Sequence, residues 1–175
     1  MFLKNQQYAD SKGVLKNLND AKYPIWGLKD IKDLKGLQEL VLDETITKDN
    51  VKELFKGKDA MPFRDYFNRS IIVKKTDFDK HTKGKYLGKN EKRHQLFPKV
   101  SDVLKAPDEV WLQNVESSGS TSDKRLNLRY IKHFNNQSIV VDAELKDKGY
   151  EIKTWYLLKA DEKTIRKGLL IHNKP

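Results

Sequence analysis

The fold is predicted by one stretch, residues 109–158, which reads EVWLQNVESSGSTSDKRLNLRYIKHFNNQSIVVDAELKDKGYEIKTWYLL. Along it, apolar and polar residues alternate, or apolar residues run together, as they do in strands. Turn-forming residues separate these runs at 117–120, 135–137 and 146–149. Because short connections join successive strands as hairpins, we predict an antiparallel sheet. The predicted strands are Glu109–Gln113, Leu126–Phe134, Ser138–Leu145, Tyr150–Leu158 and, after this stretch, Gly168–His172.

Helices are predicted ahead of this sheet. Apolar residues at helical spacing favour a helix over residues 31–40. A second helix is predicted to begin after Thr47, its N-cap, and to end before Gly57. Pro62 is expected to open a third helix. The predicted class is therefore α+β, with N-terminal helices packed on a small antiparallel sheet. We divide the chain into a helical N-terminal segment of unknown role, residues 1–60, and a second domain, residues 61–175.

Two further elements are predicted between these regions. Ile71 to Val73 is expected to form a short buried strand, and Pro98 to begin a helix that stops before Pro107. In the strand that follows, Trp111 is expected to lie in the core. The residues of the Pro98 helix expected to point inward are Val100, Val103 and Leu104.

The charge of the chain predicts a polyanionic partner. Its 175 residues carry 35 Lys and Arg against 25 Asp and Glu, a formal net charge of +10. Residues 74–99 hold nine basic and three acidic side chains. The net charge of this stretch is therefore more than half of the net charge of the chain. Clustered Lys and Arg are typical of nucleic-acid binding, because they release counterions from a phosphate backbone. The alternative is a surface on which scattered lysines only contact solvent.

Several classes of site are excluded or disfavoured. Cysteine is absent, which excludes disulfides, thiolate metal ligands and cysteine nucleophiles. The four histidines have no metal-ligand spacing, and neither a phosphate-binding glycine loop nor a nucleophile elbow occurs, so we predict no metal and no cofactor. No apolar run approaches the roughly 18 residues of a membrane helix, and neither a signal peptide nor membrane binding is expected.

General acid–base chemistry beside a phosphate-binding surface remains. His81 lies among cations that include Lys83 and Lys85, and an imidazole can accept or donate a proton at neutral pH. The alternative is a structural histidine. On the strands, Tyr130 and Lys132 share one face, and Ile152, Thr154 and Tyr156 another, where they would bind a phosphate or form an ordinary solvent-exposed face. Arg129 and Lys153 lie on the opposite faces of their strands.

Short motifs follow one another in the second domain: His81 ahead of Lys92-Arg93, Pro107-Asp108-Glu109-Val110-Trp111, Arg129-Tyr130-Ile131-Lys132, and Ile152-Lys153-Thr154-Trp155-Tyr156. Together they resemble a family of phage- and mobile-element-associated nucleases named for barnase, EndoU, colicin and RelE-type ribonucleases. The resemblance covers roughly residues 70–173. Members of this family often lie at the C-terminus of phage head-morphogenesis proteins or polymorphic toxins.

The resemblance implies a barnase/RelE-like fold and metal-independent RNA cleavage on a sheet face. By position, His81 resembles the proton-transfer histidine and Arg93 the basic residue after it. Thr154 and Tyr156 resemble catalytic groups on the sheet. The implied residues for phosphate or RNA binding are Lys83, Lys85, Arg93, Arg129, Tyr130, Lys132 and Lys153.

These features together predict an RNA endonuclease of toxin or effector type that forms a 2′,3′-cyclic phosphate. Its expected partners are RNA, such as tRNA or mRNA, and a cognate acidic immunity protein or antitoxin. It would act in the cytoplasm after delivery by a phage particle or a secretion system. The alternatives are a noncatalytic nucleic-acid-binding or virion-interaction module, and a basic adaptor that binds an acidic protein.

Overall fold

A nine-stranded sheet organises the computed structural model, which describes residues 7–9, 15–17, 37–116, 124–135, 137–158 and 169–173. Numbered along the chain, the strands lie in the order β2-β1-β9-β5-β6-β7-β8-β4-β3. Among the described residues between β2 and β5, the chain forms four α-helices and three short 3₁₀ turns. The strands are β1 Gln7–Ala9, β2 Leu15–Asn17, β3 Ala60–Arg64, β4 Ser70–Lys74, β5 Glu109–Glu116, β6 Lys124–His133, β7 Ser138–Lys146, β8 Gly149–Leu157 and β9 Leu169–Asn173. The helices are α1 Lys48–Lys52, α2 Lys75–Lys80, α3 Arg93–Leu96 and α4 Val100–Lys105.

The five strands predicted from the sequence are confirmed as β5 to β9, and β5 to β8 form successive antiparallel pairs. The sheet is not antiparallel throughout, however. β4 pairs with β8 in parallel at Ile71 and Tyr150, and β1 pairs with β9 in parallel. A parallel pair needs a long crossover. Between β4 and β8 the chain passes through α2, α3 and α4 and then through the β5 to β7 meander, so a parallel pair is possible there.

The helices are placed differently from the prediction. The Thr47 helix is confirmed as α1, because the Thr47 hydroxyl and the Asn50 side chain cap each other's backbone amides. The prediction of a helix at Pro62 is wrong, since Pro62 lies in strand β3. β3 is at the edge of the sheet, where the missing amide hydrogen of a proline is tolerated. Helices α2 to α4 follow β4 and are not N-terminal. The helix predicted over residues 31–40 lies largely outside the described residues.

The sheet is apolar on both faces. On the face that carries the helices, one large core includes Trp155, Tyr130 and Phe78 together with Val51 and Phe55 from the region of α1. The inward side chains predicted for the Pro98 helix, now α4, are buried in it as expected. The opposite face carries a smaller core, and Trp111 is fully buried there, which confirms its predicted core position. The other buried members of that smaller core are Ile131, Val140 and Leu170.

A bulge in β8 decides which of its side chains share a face. Asp142 of β7 pairs with Thr154, but the next residue, Ala143, pairs with Ile152, so Lys153 is the extra residue. Ile152 and Trp155 therefore both pack in the helix-side core, while Thr154 and Tyr156 are directed to the other face. The prediction that Ile152 shares a face with Thr154 is wrong, because simple alternation does not anticipate a bulge.

Candidate active site

His81 ends helix α2 and stands half-buried against the β8 strand. Its Nδ1 lies 2.9 Å from the backbone carbonyl oxygen of Asp77. Since a carbonyl oxygen only accepts, Nδ1 carries the hydrogen, and Nε2 of the neutral ring holds a free lone pair. The ring centroid lies 5.7 Å from that of Trp155 and 5.6 Å from that of Tyr86.

The surroundings of His81 keep its imidazole neutral. Burial lowers the pKa of His81 below the ordinary value of 6.5, and the positive charges of Arg93 and Lys80 lower it further. The hydrogen bond to the Asp77 carbonyl acts in the opposite direction but does not overcome them. A neutral imidazole with an unprotonated Nε2 is the form that a general base requires.

Arg93, the first residue of α3, lies along the edge of β8 beyond the part that pairs with β4. Its Nη1 donates to the Thr154 hydroxyl at 2.8 Å and to the Trp155 carbonyl at 2.7 Å. The Trp155 indole returns a bond to the Arg93 carbonyl at 2.7 Å. On the other side, Arg93 Nε donates to Glu91 at 2.9 Å. The guanidinium is held rigidly by these bonds, and its Nη2 makes no hydrogen bond to any residue that the structure describes.

Two tyrosine rings flank this guanidinium. Its carbon lies 4.7 Å from the ring centroid of Tyr86 and 5.6 Å from that of Tyr156. Such distances allow cation–π attraction. The structure thus brings together four residues singled out from the sequence, and it adds Tyr86 and Glu91. No pattern in the sequence marks a single tyrosine among lysines or one glutamate two residues from an arginine. The four residues brought together are His81, Arg93, Thr154 and Tyr156.

Several lysines in residues 74–99, and Lys153 on β8, are neutralised by ion pairs. Lys92 lies 3.3 Å from Glu44, and Lys74 lies 3.2 Å from Glu151. Lys153 is shared between Asp77 and Glu151, at 3.4 Å from each. Within residues 74–99, the lysines that are exposed and have no ion pair to a described residue lie in, or a few residues from, the turn that carries Tyr86. They are Lys80, Lys83, Lys85 and Lys89.

Apart from Lys153, whose ion pairs are given above, three further predicted RNA-binding residues lie outside this cluster. Tyr130 is fully buried in the helix-side core, where its hydroxyl donates to Asp65 at 2.6 Å, and burial raises the pKa of Tyr130. Lys132 donates to the Ala106 carbonyl at 2.8 Å. Arg129 forms a two-point ion pair with Asp142, at 2.8 and 2.9 Å. Each of these side chains therefore already bonds another part of the protein.

One known protein family matches most of the chain, including the part that carries the His81 cluster. Residues 47–173 match the family model for the phage-Barnase-EndoU-ColicinE5/D-RelE like nuclease 2 family. The chain belongs to this family. No curated protein and no solved structure matches it. The matched region runs from the cap of α1 into β9 and contains the whole His81 cluster of this nuclease.

A second titratable cluster in the nuclease lies on the other face of the sheet. The two ring nitrogens of His133 lie 2.8 Å from the Ser138 hydroxyl and 2.7 Å from the Glu109 carboxylate. Although a serine, a histidine and a carboxylate can form a nucleophilic triad, all three residues are buried and substrate has no access to them. We therefore exclude this buried cluster as the candidate active site. No helix within the described residues is long and apolar enough to span a membrane.

Proposed function

We propose that this nuclease is a metal-independent RNA endonuclease of barnase/RelE-like fold and toxin or effector type. The observation that supports this proposal best is the fixed orientation of the His81 ring. Its Nδ1 hydrogen is directed to the Asp77 carbonyl, so the basic Nε2 is held in the same cluster as the Arg93 guanidinium. Base and cation are thus fixed before substrate binds, which is the arrangement that proton abstraction beside a phosphate requires.

In the proposed reaction, His81 Nε2 takes the proton of a ribose 2′-hydroxyl. The 2′-oxygen attacks the adjacent phosphorus, and the bond from phosphorus to the 5′-oxygen breaks. The products are a 2′,3′-cyclic phosphate and a 5′-hydroxyl, whose oxygen takes up one proton. Arg93 Nη2 and the nearby lysines stabilise the negative charge that develops on the phosphate oxygens.

Two hydroxyls complete the proposed site. The Thr154 hydroxyl accepts a bond from Arg93, so its own hydrogen remains available for a phosphate or sugar oxygen. Tyr156 lies on the same face of β8, two residues further along. Its ring packs against the smaller core, which fixes its position. We assign these two residues to positioning the sugar or to sharing the proton transfer.

The function is tested by incubating the purified protein with total RNA in excess EDTA. We expect fragments that end in a cyclic phosphate, which acid converts to a 2′- or 3′-monophosphate. Cleavage that requires an added divalent cation would contradict metal independence. Binding of RNA without cleavage would favour the noncatalytic module, and binding of an acidic protein alone would favour the adaptor.

The exposed lysines predict a strong dependence of RNA affinity on salt. On a single strand, log Kd should change by about 0.7 per tenfold change in salt for each phosphate neutralised. Replacing Lys83 and Lys85 together by Gln should make this slope shallower by up to about 1.4 for any RNA sequence. Because both side chains are exposed and have no described ion pair, Tm should barely change. An affinity of the wild type that does not respond to salt would contradict the RNA-binding surface.

A further inference from the structure

Tyr86 is in contact with both groups that the proposed reaction uses, yet that reaction gives it no task. Its ring centroid lies 5.6 Å from that of His81 and 4.7 Å from the carbon of the Arg93 guanidinium. A phosphate held between His81 and Arg93 would therefore place the attached nucleotide beside this ring. The ring is half-buried, so part of it remains accessible to solvent.

The turn that carries Tyr86 differs from the rest of the site in its packing. Residues Gly84–Leu87 form a 3₁₀ turn without a buried residue, and Gly84 has a left-handed backbone with φ 57°. Leu87, the next residue, is 39% exposed. Tyr156, by contrast, packs against the smaller core. Of the two rings that flank Arg93, Tyr86 is therefore the one whose surroundings leave room for a ligand.

The lysines around this turn add the second part of a binding site. Lys83, Lys85 and Lys89 are exposed, and the Lys85 ammonium lies 5.2 Å from the Tyr86 ring centroid. An aromatic ring among unpaired cations is the combination that binds single-stranded nucleic acid, where the cations contact phosphates and the ring stacks on a base. A base that stacks on Tyr86 would displace the ammonium of Lys85 toward a neighbouring phosphate.

We propose that Tyr86 forms a nucleobase-binding subsite, on which an unpaired base next to the cleaved phosphate stacks. This inference rests on the proposed nuclease site for its place in the reaction. The stacking itself requires only a single-stranded nucleic acid. It also predicts that a single strand is a better substrate than a duplex of the same sequence, because a paired base is not available to the ring.

The test measures binding of two uncleavable strands by fluorescence anisotropy. One is octathymidylate DNA, which lacks the 2′-hydroxyl. The other is a tetrahydrofuran octamer, which has the same phosphates and no bases. Tyr86→Leu should weaken binding of octathymidylate about 5- to 150-fold, equivalent to about 1–3 kcal/mol at 1.4 kcal/mol per tenfold. It should leave binding of the base-free strand unchanged. Tyr86→Phe, which keeps the ring and removes the hydroxyl, should bind both strands like the wild type.

Phe67→Leu is the matched control. Like Tyr86, Phe67 is an aromatic residue with an arginine near its ring, Arg69 at 5.2 Å, but it is more exposed and lies between β3 and β4. This variant should bind both strands normally. The proposal is overturned if Tyr86→Leu binds octathymidylate like the wild type, if it loses both strands equally, or if Tyr86→Phe loses as much as Tyr86→Leu. Since neither strand is cleaved, a failure of the proposed catalysis would appear separately, in the RNA cleavage assay.

Discussion

His81→Ala is expected to lower RNA cleavage by about 10²–10⁴ while the protein stays folded. The reason is the loss of the group that takes the proton from the 2′-hydroxyl, and general base catalysis contributes about this much. The measurement is kcat/KM on a defined RNA, together with Tm. Because His81 lies at the end of α2 and is only half-buried, replacing its ring should not unfold the protein.

The pH dependence of kcat/KM provides a second test of the role of His81. His81 acts as a base only when neutral, so kcat/KM should rise with pH through the pKa of His81 in the free enzyme. Burial and the charge of Arg93 lower this pKa, so the half-maximal point should lie below pH 6.5. His81→Ala should lose this limb of the profile.

His172→Ala is the matched control, since His172 Nε2 also lies near a backbone carbonyl, that of Pro107 at 3.1 Å. It packs on Tyr66, away from the cluster, and its replacement should leave kcat/KM unchanged. Normal activity in a folded His81→Ala protein would instead assign the proton transfer to the hydroxyls of Thr154 and Tyr156.

The strands could be predicted from the sequence because their signal is local. Alternation and turn residues mark β5 to β9, and these marks do not depend on distant parts of the chain. Pro62 was misassigned because a proline at the start of a helix and a proline in an edge strand look alike locally. Its neighbour β4, which makes β3 an edge strand, is recognised only when the whole sheet is known.

The site was predictable in part, for a similar reason. The type of residue marks His81, and position in the family motifs marks Arg93, Thr154 and Tyr156. These residues come together for two reasons. The extra residue Lys153 turns Thr154 away from the helix-side core, and β4 leaves part of the edge of β8 unpaired. No sequence pattern marks Tyr86, because its proposed role comes from the side chains that it contacts in three dimensions.

Arg93→Lys should lower kcat by about 10²–10³, the usual cost of losing a fixed donor that stabilises developing charge. A lysine ammonium is a compact point charge on a flexible stem, so it cannot hold Glu91, Thr154 and the Trp155 carbonyl at once in the geometry of a guanidinium. The charge is kept, so the RNA affinity and its salt dependence should change little. A loss in kcat with a nearly constant KM therefore indicates geometry, and not charge, as the contribution of Arg93.

Arg93→Ala separates the two contributions further. It removes the positive charge that lowers the pKa of His81, so this pKa, followed by NMR titration of the imidazole, should rise. In Arg93→Lys it should stay near its wild-type position. Arg69→Lys is the control for arginine loss in general, because Arg69 also pairs with a carboxylate, Asp65 at 2.7 Å, and stacks on an aromatic ring. It should lower Tm without changing kcat. If folded Arg93→Lys cleaves RNA at the wild-type rate, Arg93 only fastens α3 to the edge of β8, and the lysines around Tyr86 alone stabilise the charge on the phosphate.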